Sequence, residues 1–422
     1  MPAETGPAET GPAETGPAQA GPAAAGSALD PSTRRRLLLL SVSAGLGVAN
    51  LYYAQPLAAT MARSLSVSAA AIGVCMMACQ LGYALGMLLL VPLGDGRERR
   101  RVMVETASAA ALVLLLVAAS PSYAFLLGAS ALLGFASCLP QMSLPFAVAL
   151  VPHQARGRAI GMVMGGLLTG ILLSRTLSGV VAEAVGWRAT FAGAALIMGA
   201  LALLIRFGLE PQAPSEPLPW ARIIASLPRV LASQPLLQRQ ALVGALGFAA
   251  FSAFWSTLSF QLAALGHGAR TAGLFGVLGL AGVAAAPIVG RLSGRVHPTL
   301  INLAGLGSVA LSFAVLVLAK RSLPGIAVAT VLLDVGAQAT HLANQTIILG
   351  LSPETRNRTN ALYMVSFFIG GSLGTLIAAL AWENLGYDGV CLAGASLALA
   401  GMLPLAWRAS TPGVHSSGRS HT

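Results

Sequence analysis

Asp334, Gln338, His341 and Gln345 stand at i, i+4, i+7 and i+11 within the apolar stretch from Leu332 to Ile348. That spacing sets a carboxylate, two amides and an imidazole on one face of an α-helix, with Asn344 beside them. A carboxyl group withdrawn from water and an imidazole are groups that exchange protons near neutral pH. Amides supply both donors and acceptors. A polar stripe in a helix of hydrocarbon length cannot face lipid, so it faces a cavity or other helices. Two readings follow: a hydrogen-bond network between helices, or the wall of a solute pathway.

A second deep charge, Arg175, matches Asp334 in depth. It lies about ten residues from the end of its own apolar span, and Asp334 about eleven from the end of its span. An isolated charge there costs several kcal/mol, and pairing lowers that cost. The expectation is an Arg175–Asp334 pair across the two halves, direct or through Gln338, that holds the outer side closed and loosens when solute or proton arrives. The alternative is that each charge is satisfied within its own half. If transport is proton-coupled, Asp334 is the first candidate carrier and His341 the second.

The elements that must position these groups follow from composition. The 422 residues are 55% hydrophobic and only 9% charged, with mean hydropathy +0.76. Soluble domains carry about a quarter charged residues, so this is a polytopic membrane protein. The net charge of +11 does not signal nucleic acid, because the arginines sit in short loops, where they set orientation. Cys75, Cys79, Cys138 and Cys391 lie within apolar spans and read as buried thiols. No metal or other cofactor is expected. No Asp-rich pair, His-x-x-x-His or phosphate loop supports a polytopic membrane enzyme or ATP-driven transport.

Apolar stretches of about 20 residues number twelve: 37–58, 69–93, 102–119, 122–151, 157–184, 188–208, 239–264, 271–292, 299–319, 323–350, 358–383 and 387–407. The fold expected is all-α, twelve transmembrane helices in two pseudo-symmetric six-helix bundles. The bundles span 34–208 and 239–408. Residues 209–238 form a proline-rich cytoplasmic linker with an amphipathic piece around Trp220 to Leu231. A Pro/Ala/Gly repeat tail (1–33) and a short tail (409–422) read as disordered. With both termini inside, the short inner loops hold ten basic residues and the outer loops five, as the positive-inside rule requires.

The two halves match at an offset of 200: Arg156 and Arg158 fall on Arg356 and Arg358, and Glu183 to Trp187 falls on Glu383 to Tyr387. Between them run stripes of small residues, Gly166, Gly170, Ser174 and Ser178 against Ser366, Gly370, Gly374 and Ala378. Such stripes let helices approach closely; they read as ordinary tight helix packing, as the faces where the halves touch and move, or as both. A parallel repeat with a linker is the plan of a rocking secondary transporter.

The loop from Pro92 to Arg101, PLGDGRERRR, resembles the Gly-x-x-x-Asp-Arg-x-x-Arg-Arg signature of the major facilitator superfamily. Its diluted counterpart runs from Gly290 to Arg295, with Gly294 in place of the acid. The resemblance covers roughly residues 34 to 408. Asn50 to Leu57, Leu173 to Gly179 and Asp334 to Gln345 resemble a bacterial subgroup of efflux permeases. The arginine motif usual in the fourth helix of proton-driven antiporters is absent, since that region reads LLGFAS from Leu132 to Ser137.

The resemblance implies that spans one, four, seven and ten line a central cavity. The candidates there are Asn50 and Tyr53, then Gln141, then Phe254 and Trp255, then Gln338, His341, Asn344 and Gln345. Gln141 lands on His341 under the offset. Aromatic rings with a few polar groups suit a small amphipathic organic solute. Asp95, Arg97, Arg99 and Arg100 are topology charges, to which the resemblance adds a cytoplasmic gate. Glu105 is a partner for one of these arginines. The expected function is proton-coupled efflux of small organic solutes by alternating access, by a monomer in the bacterial plasma membrane. Uptake or facilitated passage by the same fold is the alternative.

Overall fold

The computed structural model describes residues 30–92, 97–212, 220–293, 295–351 and 356–406. Helices account for almost all of them, and among the described residues there is no strand. Within hydrocarbon every backbone N–H and C=O needs a partner in its own segment, which a helix supplies. Asp30 opens the first helix, its Oδ1 accepting from the Ser32 and Thr33 backbone N–H groups at 2.8 and 3.0 Å. Hydrogen bonds from the Ser32 and Thr33 side chains hold its carboxyl well below the usual carboxylate range.

Among the described residues eleven helices are long and apolar enough to cross a membrane. The last, Arg358–Ala406, has 49 residues. At 1.5 Å per residue that is roughly 70 Å, over twice the ~30 Å hydrocarbon thickness. It breaks at Gly386 (φ 63°, ψ −154°), so the chain crosses twelve times. Gly186, 200 residues earlier, makes the matching break between spans five and six at φ 85°. A side chain is strained in either conformation, and glycine is not. Ser66 and Gly266, also 200 apart, likewise have positive φ at the ends of spans one and seven.

Large apolar side chains such as Leu196, Phe207, Leu318 and Leu403 are exposed on the outside of the bundle, as lipid contact requires. Inside, one buried cluster is built almost wholly from residues 37–209 and a second from residues 250–398. The helix Trp220–Ser233 buries Leu227 and Val230 and exposes Arg222 and Arg229. Its Val230 packs with Leu237, Ile348 and Tyr363 of the second half.

Of the two readings of the small-residue stripes, tight helix packing describes these glycines. Gly166 abuts the backbone of Ser41, and Gly170 that of Gly45. In the second half Gly370 abuts Ala245 and Gly374 abuts Ala249. Each stripe therefore packs span five on span one, or span eleven on span seven, inside one half. The seam between halves uses the neighbouring face. Gly179 meets the Gly273 backbone, and Gly73 meets Ala379. A helix has more than one close-packed face, and spacing of four identifies a face without naming its neighbour.

Twelve spans place both ends of the bundle's chain on one side, here called the near end. The far end carries residues 63–68, 183–188, 264–270, 320–322 and 383–388.

Candidate functional site

Between the halves lies a cavity. Its wall takes Tyr52 from span one, Tyr83 from span two, Gln141 from span four and Leu167 to Arg175 from span five. The second half adds Phe248 and Phe251, Gly279 to Val283, then Asp334, Gln338 and His341, and finally Met364, Phe367 and Phe368. Spans two, five, eight and eleven therefore contribute as well as one, four, seven and ten. Phe248 stacks on Phe367 at 3.9 Å between ring centroids, and Tyr83 meets Phe368 edge-on at 4.6 Å. Both halves thus share one aromatic wall.

The deep charges meet at one side of this cavity. Arg175 Nε donates to Gln55 Oε1 at 2.7 Å. The guanidinium lies 3.9 Å above the Trp255 ring and 4.7 Å from the Tyr52 ring. Trp255 Nε1 donates to Asp334 Oδ1 at 3.1 Å. Tryptophan's ring face attracts a cation while its N–H donates to an anion, so one side chain joins the two charges. Arg175 and Gln55 belong to the first half, Trp255 and Asp334 to the second. The link runs through Trp255, not Gln338, and no salt bridge at contact distance joins Arg175 to Asp334 among the described pairs. Arg175 Nη2 and Asp334 Oδ2 are buried without a hydrogen-bond partner.

Span eight makes room for this arrangement. Phe275–Gly279 is a tight 3₁₀ turn, in which residues three apart eclipse. A Cβ on Gly276 would stand 2.9 Å from Arg175 Cβ, and one on Gly279 3.2 Å from Asp334 Oδ2.

His341 Nδ1 lies 3.2 Å from the Tyr363 hydroxyl, and Gln141 Nε2 donates to the Tyr83 hydroxyl at 3.3 Å. Each of these offset-matched residues is thus held by a tyrosine of its own half, at the cavity wall. Asn344 turns away and accepts from Asn302 Nδ2 at 2.9 Å in a buried intra-half contact. Gln345 is half-buried and off the cavity wall. Tyr53 packs edge-on against Phe191 at 6.2 Å, and its neighbour Tyr52 faces the cavity. Asn50 lines a separate small void with Cys75, Cys79 and Ser130. The cause is the turn at residues 50–53, where the first span is interrupted between Ala49 and Ala54. Phe254 is fully buried behind Trp255.

Of the loop cluster, Asp95 lies outside the described residues. Arg97 is exposed. Arg99 Nη1 donates to Gln212 Oε1, and Arg100 Nη1 to the Arg206 and Leu209 carbonyls, each at 3.4 Å. These arginines meet the carbonyl end of span six, where cations are favoured. Glu105 pairs with Arg101 at 2.9 Å one helical turn away. Among the described residues no three His, Cys, Asp or Glu side chains gather at metal-binding range.

Sequence reasoning missed Tyr83, Phe248, Phe367 and Phe368 because aromatic residues in apolar spans look the same whether they face a cavity, a core or lipid. Their only signal was clustering near one depth in spans two, seven and eleven.

The family profile described as Major Facilitator Superfamily matches residues 37–322. An Escherichia coli O157:H7 protein described as "Uncharacterized transporter YgaY" is 41% identical over 377 residues, 88% of this chain and 95% of that one. "Probable transporter SCO4007" of Streptomyces coelicolor is 32% identical, over 87% of this chain and 86% of that one. A Helicobacter pylori "Probable sugar efflux transporter" is 25% identical, over 88% and 94%. Among solved structures, a bacterial homologue of the human lysosomal transporter Spinster superposes with TM-score 0.70 at 16% identity, covering 90% of this chain and 95% of that one. The human organic anion transporter MFSD10 superposes with TM-score 0.65 at 19% identity, covering 89% and 100%.

Proposed function

The chain belongs to the major facilitator superfamily, and from that premise we propose that it exports small amphipathic organic solutes by alternating access, coupled to protons. That it is a transporter follows from the family. Solute class, direction and coupling are our reading.

The observation that carries it is the Arg175–Trp255–Asp334 chain, whose two charged ends line the cavity while Trp255 is buried between them. It joins the two halves through charges that are costly to bury singly. A solute or proton that engages Asp334 competes with the Trp255 N–H and weakens the link, so occupancy and conformation are coupled. The aromatic wall takes an apolar body, and Gln141, Gln338 and His341 offer hydrogen bonds to its polar groups. Arg175 and Asp334 cancel in charge, which favours a solute without large net charge.

In this reading the bundles 34–208 and 239–408 rock about the cavity, with 209–238 as their linker and one chain as the working unit. The arginine distribution supports a cytoplasmic near end, with both termini on that side. Efflux is supported by the sugar efflux description of the Helicobacter pylori relatives. A sugar would stack on the same rings, so hexoses belong beside aromatic amphiphiles in the test.

Inside-out membrane vesicles from cells with and without the protein are acidified and given each solute in turn, with a pH-sensitive dye inside. At least one class is expected to drive proton release only when the protein is present, and Asp334→Asn is expected to abolish that release. Undiminished release in Asp334→Asn would remove this residue as the carrier. Equal signals with and without the protein, across solutes shown to be transported, would remove proton coupling.

A further inference from the structure

Glu183 and Glu383 stand at the far ends of spans five and eleven, exposed to solvent and 200 residues apart. Each carboxylate reaches into the other half. Glu383 Oε1 accepts from the Ala70 backbone N–H at 3.0 Å, and Glu183 Oε2 accepts from the Arg270 backbone N–H at 3.0 Å. Ala70 and Arg270 are themselves 200 residues apart. The fold therefore makes one contact twice, in opposite directions, about its pseudo-twofold axis.

The acceptors meet a real need. Ala70 and Arg270 lie in the first turns of spans two and eight, whose N–H groups have no intrahelical partner and form the positive end of the helix dipole. Span two has its own cap as well, Ser68 Oγ accepting from Ala71 N–H at 3.2 Å. Span eight begins after Gly268, which has no side chain to cap with. A Cβ at Gly268 would stand 2.8 Å from Glu183 Oε2, so the glycine also leaves the space that the glutamate fills.

The seam beneath each contact is built for close approach and parting. Thr176 Oγ1 donates to the Gly273 carbonyl at 3.1 Å under one glutamate. Gln80 Nε2 reaches Thr375 Oγ1 at 3.4 Å under the other. Gly179 faces Gly273, and Gly73 faces Ala379. These contacts between halves run from mid-depth to the far end. The carboxylates are water-accessible, so each hydrogen bond can be exchanged for water without stranding a buried charge.

We propose that Glu183 and Glu383 are a paired latch for transport: as carboxylate caps on the opposite half's helices, they hold the far end shut in this conformation and let go together when it opens. The proposal rests on the alternating-access reading, and the experiment separates the two.

Spin labels on Arg63→Cys and Ala264→Cys, both exposed at the far end, report opening in the full-length protein in nanodiscs. The native cysteines are buried. Labels on Gln154→Cys and Thr346→Cys report the near end. Loss of a capping side chain weighs a helix-end equilibrium by about fivefold. Glu183→Ala and Glu383→Ala are each expected to raise the open-to-closed ratio of the far pair by about that factor, and the double variant by more than tenfold. Glu183→Gln with Glu383→Gln keeps an acceptor oxygen, and a smaller shift is expected. Glu105→Ala, whose carboxylate pairs within its own helix, is expected to shift nothing. A far-pair distribution unchanged in both the alanine and glutamine double variants overturns the latch. A far pair that lengthens while the near pair fails to shorten supports the latch and counts against the rocking reading alone.

Discussion

An Arg175→Leu variant is expected to lose about 3–5 kcal/mol of stability, the usual cost of leaving a buried charge without its compensating partner, and to lose transport with it. The guanidinium lies on the Trp255 ring and is held by Gln55. Without it, Asp334 keeps the Trp255 N–H on Oδ1 and nothing on Oδ2, and Gln55 loses its donor. Arg175→Leu combined with Asp334→Leu is expected to recover most of the lost stability, because replacing both charges by apolar groups removes both desolvation penalties. It is not expected to recover transport. Trp255→Phe keeps a ring beneath the guanidinium but removes the N–H and part of the buried indole, so its expected cost is about 1.5–3 kcal/mol for a hydrogen bond to a charged group, with a further cost for the space left behind. Thermal unfolding of the purified full-length protein in detergent checks all three. A double variant no more stable than Arg175→Leu would mean that the charges are satisfied independently, each within its half.

Gly170→Val is expected to cost about 3 kcal/mol, the upper end of ordinary overpacking, because what it strikes is backbone. A Cβ at Gly170 would lie 2.5 Å from Gly45 Cα, and one at Gly370 the same distance from Ala245 Cα. Neither helix can yield without shifting the whole span. Gly165→Val, five residues away on the same helix, would place its Cβ with nothing within 4 Å and is expected to change stability by no more than about 0.5 kcal/mol. The same unfolding assay compares them. Equal behaviour of Gly165→Val and Gly170→Val would mean that span five does not pack on span one as described.

Much of the site was legible from residue types. A carboxylate and an arginine at matching depth in apolar spans are costly enough that each needs company. His341 and Gln141 were placed together by the repeat, and both reach the cavity wall. Trp255 was read as a cavity ring and turns out to be the connection between the charges. Its N–H and its face act in different directions, and no spacing rule reports which way each points. Asn344, one residue off the stripe, illustrates the competing outcome. It is polar and deep, yet its partner is Asn302 inside the same half.

The chain by itself determined how many times it crosses, where it repeats and how deep each polar group sits. Apolar length sets a crossing, and the 200-residue offset sets equivalence, from Gly186 and Gly386 to Glu183 and Glu383. Depth follows from counting along a helix of constant rise. Only the tertiary structure decided which way each face turns about its helix axis. That angle depends on how neighbouring helices pack and on the turn at Asn50 to Tyr53, which brings Tyr52 to the cavity and sends Tyr53 to Phe191. It also decided that the small-residue stripes close each half while the glutamates reach across. Helix periodicity identifies a face, and a partner appears only when a second helix is laid against it.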